Sequence, residues 1–176
     1  MQEKLKIYHY GSPILREELS DMEELPEDFE DLVDNMFALM SEEEGIGLSA
    51  NQVGKDLRFF IANFSLYKDD MAKKVFINPE ILESEGETKD EEGCLSLPEI
   101  KVSVKRADKI KVRYRDKGFV ERTEEYSGYL SRVIQHETDH LNGIFMTDRI
   151  SPLKRKLLDN KLKQIAKMAK KEQSIN

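Results

Sequence analysis

The chain has 176 residues, of which 39% are hydrophobic and 36% are charged, a balance typical of one soluble globular domain. It contains no apolar run of the roughly 18 residues that span a membrane, and residues 1–4 lead into no continuous apolar stretch, so we expect neither a membrane segment nor a secretory signal. The single cysteine, Cys94, forms no intrachain disulfide, and we expect a cytoplasmic protein.

The net charge of −7 is unevenly distributed along the chain. Residues 17–44 contain thirteen acidic side chains and no Lys or Arg, whereas residues 151–176 carry eight basic and two acidic side chains, a local net charge of +6. An acidic body argues against broad nucleic-acid binding, but the basic tail could bind a polyanion.

The first predicted helix has Pro26 in its first turn and an apolar face with helical spacing, formed by Phe29, Leu32, Val33, Met36, Phe37 and Met40. Residues 44–48, with two glycines, are predicted to form a loop. Five strands follow, at residues 58–64, 74–82, 101–106, 109–115 and 119–126. Alternating apolar residues on both sides of Ala107 and Asp108 predict an antiparallel hairpin there.

Two helices are predicted after the strands. The first has apolar residues at helical spacing and a stop at Asn142 and Gly143, and the last has an apolar stripe made of Leu153, Leu157, Leu158, Leu162, Ile165, Met168 and Ala169. This order predicts an α+β fold with mostly antiparallel sheets around the first of these helices and a C-terminal helix. We expect residues 1–150 to form the main body of the domain and residues 151–176 a basic helix that packs on it or extends from it.

The most informative motif is His-Glu-Thr-Asp-His at residues 136–140. On a helix, His136 and His140 lie one above the other and can bind one metal ion, while Glu137 can reach a water molecule beside it. A surface helix with a fortuitous pair of histidines is the alternative.

A catalytic site of this kind needs a third protein ligand. Downstream candidates are Asp148, Asp159 and Glu172, none of which has a convincing context. Upstream, Cys94 follows Gly93, and its soft thiolate is the best available candidate. A lone cysteine is more often a small buried hydrophobic residue, but here a pair of histidines lacks one ligand.

Three stretches of the chain resemble those of the peptide deformylases: residues 45–52 (GIGLSANQ), 92–96 (EGCLS) and 135–143 (QHETDHLNG). The resemblance implies an α+β hydrolase that removes the formyl group from the N-terminal formyl-methionine of nascent polypeptides and releases formate. It also implies one divalent metal ion, with Fe²⁺ the favoured ion and Zn²⁺, Ni²⁺ or Co²⁺ as possible occupants.

The family's functional residues can be transferred to matching positions in this chain. Cys94, His136 and His140 would bind the metal, and Glu137 would transfer the proton. The Gln52 side chain and the Leu95 backbone N–H would stabilise the oxyanion. We expect Ile46 and Val133 to line the methionine pocket, and Gly47 to allow close approach of the substrate backbone.

The chain departs from the family at Ser49, where alanine is usual, and at Asn51, where proline is common. Both residues flank Gln52, so they bear on the orientation of that oxyanion donor. The basic C-terminal helix is most simply interpreted as a helix that packs on the domain with a charged outer face. In bacterial deformylases that resemble this chain, such a helix binds ribosomal RNA near the exit of nascent chains, and binding to the ribosome is the alternative role here.

Two other functions are compatible with the motifs. A zincin endopeptidase would not need Cys94 as a ligand. A non-enzymatic metal-stabilised module on the ribosome would have no use for Glu137 as a general base.

Overall fold

The computed structural model describes residues 4–65, 67 and 72–174. Its helices are α1 (Phe29–Glu42), α2 (Gly128–Leu141) and α3 (Pro152–Ser174), with short 3₁₀ turns at Pro13–Arg16, Ala50–Val53 and Met146–Asp148. Its strands are β1 (Gly47–Ser49), β2 (Phe59–Asn63), β3 (Lys73–Glu85), β4 (Thr88–Cys94), β5 (Leu97–Arg106), β6 (Lys109–Arg115) and β7 (Glu121–Ser127). The predicted α+β class and the order of the elements are confirmed.

The strands form two antiparallel sheets. Five strands pair in the order β1-β2-β3-β6-β7, and β4 and β5 form a separate two-stranded sheet. Strand β2 is buried on both faces, and its side chains alternate between two cores. Phe59 and Ile61 pack with α1, whereas Phe60 and Ala62 pack with α2. The large sheet therefore separates α1 from the helix that carries the histidines.

Helix α1 begins three residues after Pro26, so the prediction that Pro26 lies in its first turn was wrong. The Pro26 carbonyl accepts a hydrogen bond of 3.1 Å from the Phe29 backbone N–H, which places the proline in the turn before the helix. The predicted apolar face is buried as expected. Glu30 and Asp31 in the first turn interact favourably with the positive end of the helix dipole.

Two strands were not recognised in the sequence. Part of the predicted loop at residues 44–48 is strand β1, which is too short for period-2 alternation to be visible. Strand β4 consists mainly of polar and charged residues because it is largely exposed, and Glu92 is its one buried side chain. Hydrophobic periodicity cannot identify such a strand.

The predicted hairpin at Ala107 and Asp108 was wrong. Strand β5 pairs with β4, whereas β6 pairs with β3 and β7. Helix α2 binds the connection between β5 and β6: Gln135 accepts a hydrogen bond from the Ala107 N–H at 3.1 Å and donates one to its carbonyl at 2.9 Å. The N–H and C=O groups of Ala107 thus bond to helix α2 instead of forming a hairpin turn. At this point the chain passes from the two-stranded sheet to the five-stranded sheet.

Helix α2 ends at Leu141, and Gly143 follows with φ +69°, as the stop signal predicts. A Cβ atom at Gly143 would lie 2.5 Å from the Arg16 carbonyl oxygen. The last strand of the large sheet starts at Glu121 rather than at Phe119, which has φ +63° in the preceding turn.

Helix α3 buries only part of its predicted apolar stripe. Leu162, Ile165 and Ala169 are buried, whereas Leu153 and Leu157 are 72% and 79% exposed. Leu162 and Ile165 belong to a third core with β5. The boundary at residue 150 stays a prediction, and residues 175 and 176 of the predicted tail lie outside the described residues. No helix in the described ranges has the length and apolar character to cross a membrane.

Candidate active site

Cys94, His136 and His140 meet between the two sheets. The Cys94 Sγ atom lies 3.3 Å from His140 Nε2, which lies 3.2 Å from His136 Nε2. All three candidate ligand atoms lie within 4.8 Å of one another. The two histidines come from successive turns of α2, and the cysteine ends β4.

These distances fit a single metal ion. Tetrahedral bonds of about 2.0–2.3 Å separate neighbouring nitrogen and sulfur ligands by about 3.3–3.6 Å, close to the two distances in the structure. The His136 Nδ1 atom lies 2.9 Å from Glu92 Oε2. A proton on Nδ1 would then leave an unprotonated Nε2 facing the other two ligand atoms. The donor set of one thiolate and two imidazoles suits a divalent transition metal.

A buried network of charges lies behind His136. Glu92 accepts hydrogen bonds from Arg106 Nε at 2.5 Å and from Arg132 Nη1 at 2.8 Å. Arg106 also contacts Asp139 at 2.8 Å, and all four side chains are buried. Each charge in this low-dielectric region has a partner of opposite sign, so the network fixes the orientation of the His136 ring.

The pKa values of Glu92 and Glu137 differ because their hydrogen-bond partners differ. Burial raises the pKa of Glu92, but hydrogen bonds from His136 and Arg106 outweigh it and hold the pKa far below its usual value. Glu137 lacks such partners: burial raises its pKa to about 7, although the charges of His136 and Arg106 lower it. The two carboxylates therefore have opposite protonation tendencies near neutral pH.

The Glu137 carboxylate lies against Gly47. A Cβ atom at Gly47 would be 2.6 Å from Glu137 Oε1 and 2.8 Å from its Cγ, so only glycine leaves room for this carboxylate. In the described part of the chain, Glu137 Oε2 is buried without a hydrogen-bond partner. Glu137 lines the same pocket as Cys94 and His136, and an unpartnered carboxylate oxygen there can accept a proton from a reactant.

Gln52 and Leu95 are both neighbours of Cys94. The Gln52 Nε2 atom donates to Ser96 Oγ at 3.0 Å and points toward Cys94 Sγ at 3.6 Å. Leu95 occupies the turn between β4 and β5, immediately after the cysteine. Both residues line a pocket of about 1110 Å³, and two of the three candidate metal ligands, Cys94 and His136, line it as well.

The predicted substrate-binding residues line the same pocket. Ile46 and Gly47 lie on the wall formed by β1 and the segment before it, and Val133 lies one turn before His136 on α2. Eight of the nine predicted site residues therefore line one cavity, and the ninth, His140, contacts Cys94.

Sequence reasoning did not assign a role to Glu92, although the motif contains it. In a strand, residues i and i+2 face the same side, so recognition of β4 would have placed Glu92 beside Cys94. Arg132 was left without a role. It is buried and donates hydrogen bonds to Glu92 and to the carbonyl oxygens of Val104 and Thr88, so it ties α2 to β4 and β5.

The family described as polypeptide deformylase matches residues 4–156 of the chain. The peptide deformylase of Thermotoga petrophila is 44% identical over 169 residues, covering 94% of this chain and 99% of the relative. The crystal structure of the Thermus thermophilus enzyme superimposes with a TM-score of 0.86 at 36% identity, covering 93% of this chain and 98% of that one. The Legionella pneumophila enzyme gives a TM-score of 0.84 at 34% identity, with coverages of 94% and 97%.

The matched region includes all three motifs and, except for Glu172, every residue that lines the pocket. The relatives are covered over nearly their whole length, so the similarity concerns the complete enzyme rather than a shared fragment. The chain belongs to the peptide deformylase family and is a metal-dependent hydrolase that removes the formyl group from the N-termini of nascent peptides.

Proposed function

We propose that Cys94, His136 and His140 bind the metal ion required for deformylation, and that Glu137 is the general base and acid. The observation that carries the proposal is the convergence of one sulfur and two Nε2 atoms within 4.8 Å beside a buried carboxylate. A purely structural metal site would use four protein ligands. Three protein ligands, of which Cys94 and His136 line an open pocket, leave a position for a reactant.

A divalent ion in this site supplies a polarising charge that lowers the pKa of water toward ~7. Glu137 accepts the proton of the attacking water through Oε2 and returns it to the departing amine. Burial of Glu137 keeps bulk water away from this transfer. General acid–base catalysis of this kind contributes about 10²–10⁴-fold to the rate.

Gln52 Nε2 and the Leu95 backbone N–H are proposed as donors to the oxyanion that forms at the formyl carbon. Each such donor can contribute roughly 3 kcal/mol to transition-state stabilisation. Ile46 and Val133 are proposed to contact the methionine side chain. Gly47 is proposed to let the substrate backbone approach, in addition to leaving room for Glu137.

Formate release from formyl-Met-Ala-Ser tests the catalytic roles. The wild type is expected to produce formate and the Glu137→Ala variant almost none, while the variant's metal content stays unchanged. Formate production by the variant at more than a tenth of the wild-type rate would contradict the role of Glu137.

Metal analysis of the Cys94→Ser variant separates deformylase chemistry from that of a zincin peptidase. Loss of the bound metal is expected, because the remaining two imidazoles form an incomplete site. Retention of a full equivalent of metal would show that the sulfur is not a ligand.

Fe²⁺ is proposed as the ion in the cell, with Zn²⁺, Ni²⁺ and Co²⁺ able to occupy the same site. The soft thiolate and the two imidazoles support a transition metal of this group. Both Fe²⁺ and the thiolate oxidise readily, so protein purified without oxygen should contain iron and lose activity in air. Zinc in the anaerobic preparation would refute this assignment.

The basic tail is proposed to bind ribosomal RNA near the exit of nascent chains, which also implies a cytoplasmic protein. We retain the division into a catalytic domain at residues 1–150 and a helical extension at residues 151–176. Truncation is a poor test, because it would remove the buried Leu162 and Ile165. Charge reversal of the exposed Lys163, Lys167 and Lys170 should weaken ribosome binding in a salt-dependent manner and spare formate release. Unchanged ribosome affinity would exclude this contact.

A further inference from the structure

Ser49 and Asn51, the two departures from the family's usual residues, are buried beside Gln52. Ser49 and Asn51 are 0% exposed and Gln52 is 2% exposed. Polar side chains at such depth require hydrogen-bond partners, and the loss of one partner leaves the other group unsatisfied. The contacts of these three residues therefore constrain one another.

The orientation of the Gln52 amide depends on Ser49. The Ser49 backbone N–H, which can only donate, lies 3.1 Å from Gln52 Oε1, and the Ser49 hydroxyl lies 3.0 Å from the same oxygen. The opposite end, Nε2, donates to Ser96 Oγ at 3.0 Å. A flipped amide would place two donors face to face at Ser49 and direct an oxygen toward the Cys94 sulfur. The backbone N–H of residue 49, which any residue would supply, and the hydroxyl that is specific to serine thus both favour the orientation in which Nε2 faces the reaction site.

Asn51 connects the same hydroxyl to the metal-binding helix. Its Nδ2 donates to the carbonyl oxygen of His140 at 2.7 Å, so its Oδ1 faces the Ser49 hydroxyl at 2.8 Å. The one hydroxyl proton of Ser49 consequently lies between two acceptors, Asn51 Oδ1 and Gln52 Oε1. Asn51 therefore links this shared proton to the backbone of His140.

We propose that Ser49 is a positioning residue for Gln52, and that Ser49 and Asn51 together couple the orientation of the oxyanion donor to the backbone of His140. The inference rests on the proposed role of Gln52 in catalysis. It assigns a role to two residues that do not touch the substrate, and it explains how this chain holds Gln52 with polar side chains at positions 49 and 51.

A double-mutant cycle tests whether Ser49 acts through Gln52. The metal-loaded wild type, Ser49→Ala, Gln52→Ala and the double variant are compared for kcat and KM with formyl-Met-Ala-Ser. We expect Ser49→Ala to lower kcat about fivefold, as for loss of one neutral hydrogen bond, and to leave KM within about twofold. In the Gln52→Ala background the same change should alter kcat by less than about twofold.

Three outcomes of the cycle would overturn the inference. If Ser49→Ala retains the wild-type kcat, or lowers it by the same factor in both backgrounds, Ser49 does not act through Gln52, while the role of Gln52 itself stands. If Gln52→Ala retains the wild-type kcat, the proposed oxyanion donor is wrong, and the inference falls with it.

Ser131→Ala is the matched control, because Ser131 is also 0% exposed and donates a hydrogen bond to the Ala107 carbonyl at 3.0 Å. Its stability loss should resemble that of Ser49→Ala, whereas its kcat should equal that of the wild type. A comparable loss of kcat in the control would mean that general destabilisation explains both variants.

Hydrogen exchange of the Gln52 side-chain amide, measured by NMR on the isotope-labelled, zinc-loaded full chain, is independent of turnover. We expect exchange to be about tenfold faster in Ser49→Ala than in wild type or Ser131→Ala, because the amide is held less firmly. Equal exchange rates in all three proteins would overturn the positioning role.

Discussion

Replacement of Gly47 by alanine tests the placement of Glu137 directly. The added Cβ would lie 2.6 Å from Oε1, 2.8 Å from Cγ and 2.9 Å from Cδ of Glu137. Ordinary contact begins at 3.4 Å, so the carboxylate oxygen must move by about 0.8 Å. The side chain is buried and cannot move without disturbing its neighbours.

A displacement of this size is expected to be costly for catalysis. Misplacement of a catalytic group by 1 Å can reduce the rate about a hundredfold, and we expect a similar loss of kcat for Gly47→Ala. Overpacking should also lower the free energy of unfolding by about 1–3 kcal/mol. The metal content should stay at the wild-type level, because the three atoms nearest to the added Cβ all belong to Glu137 and not to Cys94 or the histidines.

The assay combines formate release, metal analysis and urea denaturation. Gly118→Ala is the control for loss of a glycine, because a Cβ there would lie 3.4 Å from its nearest neighbour, Asp116 Oδ1. Combining Gly47→Ala with Glu137→Ala should remove most of the stability cost, since the clashing side chain is gone. A Gly47→Ala enzyme with kcat within about threefold of wild type would refute the argument that the carboxylate position is critical.

The other predictions concern electrostatics and unsatisfied groups. Glu92→Gln should raise the dissociation constant of the metal about 10–100-fold, because the substitution weakens the hydrogen bond that orients His136. Competition with a chelator measures this constant, and an unchanged value would contradict the role of Glu92. Burial raises the pKa of Glu124, but hydrogen bonds from Tyr114, Tyr126 and Lys74 lower it to about 2. The ionised Glu124 should therefore stabilise the folded state fully above its pKa in the unfolded chain, about 4.3. This contribution should be lost as the pH decreases toward the folded-state pKa of about 2. In urea denaturation, Glu124→Gln should lower the free energy of unfolding by about 1 kcal/mol at neutral pH, a small value because Glu124 is partly exposed. Near pH 2 the substitution should change this free energy very little. A loss of stability that does not depend on pH would refute the charged interaction. Thr147→Val should be neutral or stabilising by up to about 1 kcal/mol, because in the described part of the chain the buried Thr147 hydroxyl has no partner; a lower melting temperature would contradict this prediction.

The sequence was a reliable guide wherever a local pattern has one structural meaning. The spacing of His136 and His140, the apolar face of α1 and the stop at Gly143 are consequences of helix geometry, and all three occur in the structure. The α+β class followed from the order of such segments. Hydrophobic periodicity and helix-capping signals involve residues that are only a few positions apart, so they can be recognised without knowledge of distant contacts.

The pairing of strands could not be deduced in this way. Strands β5 and β6 have the alternation of a hairpin, but Gln135 and Ser131 of α2 bind the connecting residue Ala107 and separate them. Strand β4 is polar because it is exposed, and its one buried side chain, Glu92, is stabilised by arginines distant in sequence. Contacts between residues that are distant in sequence form only in the folded molecule, so local sequence patterns do not reveal them.

The amino-acid sequence alone determined the chemistry of this protein: a sulfur, two imidazoles and a carboxylate in recognisable motifs. Only the tertiary structure decided how their supporting groups are arranged. The supporting contacts join segments that are separated in the chain: Glu92 with His136, Gly47 with Glu137, and Asn51 with the carbonyl oxygen of His140. The reason is physical: burial makes each hydrogen bond obligatory, but which partner satisfies it depends on packing rather than on any local pattern.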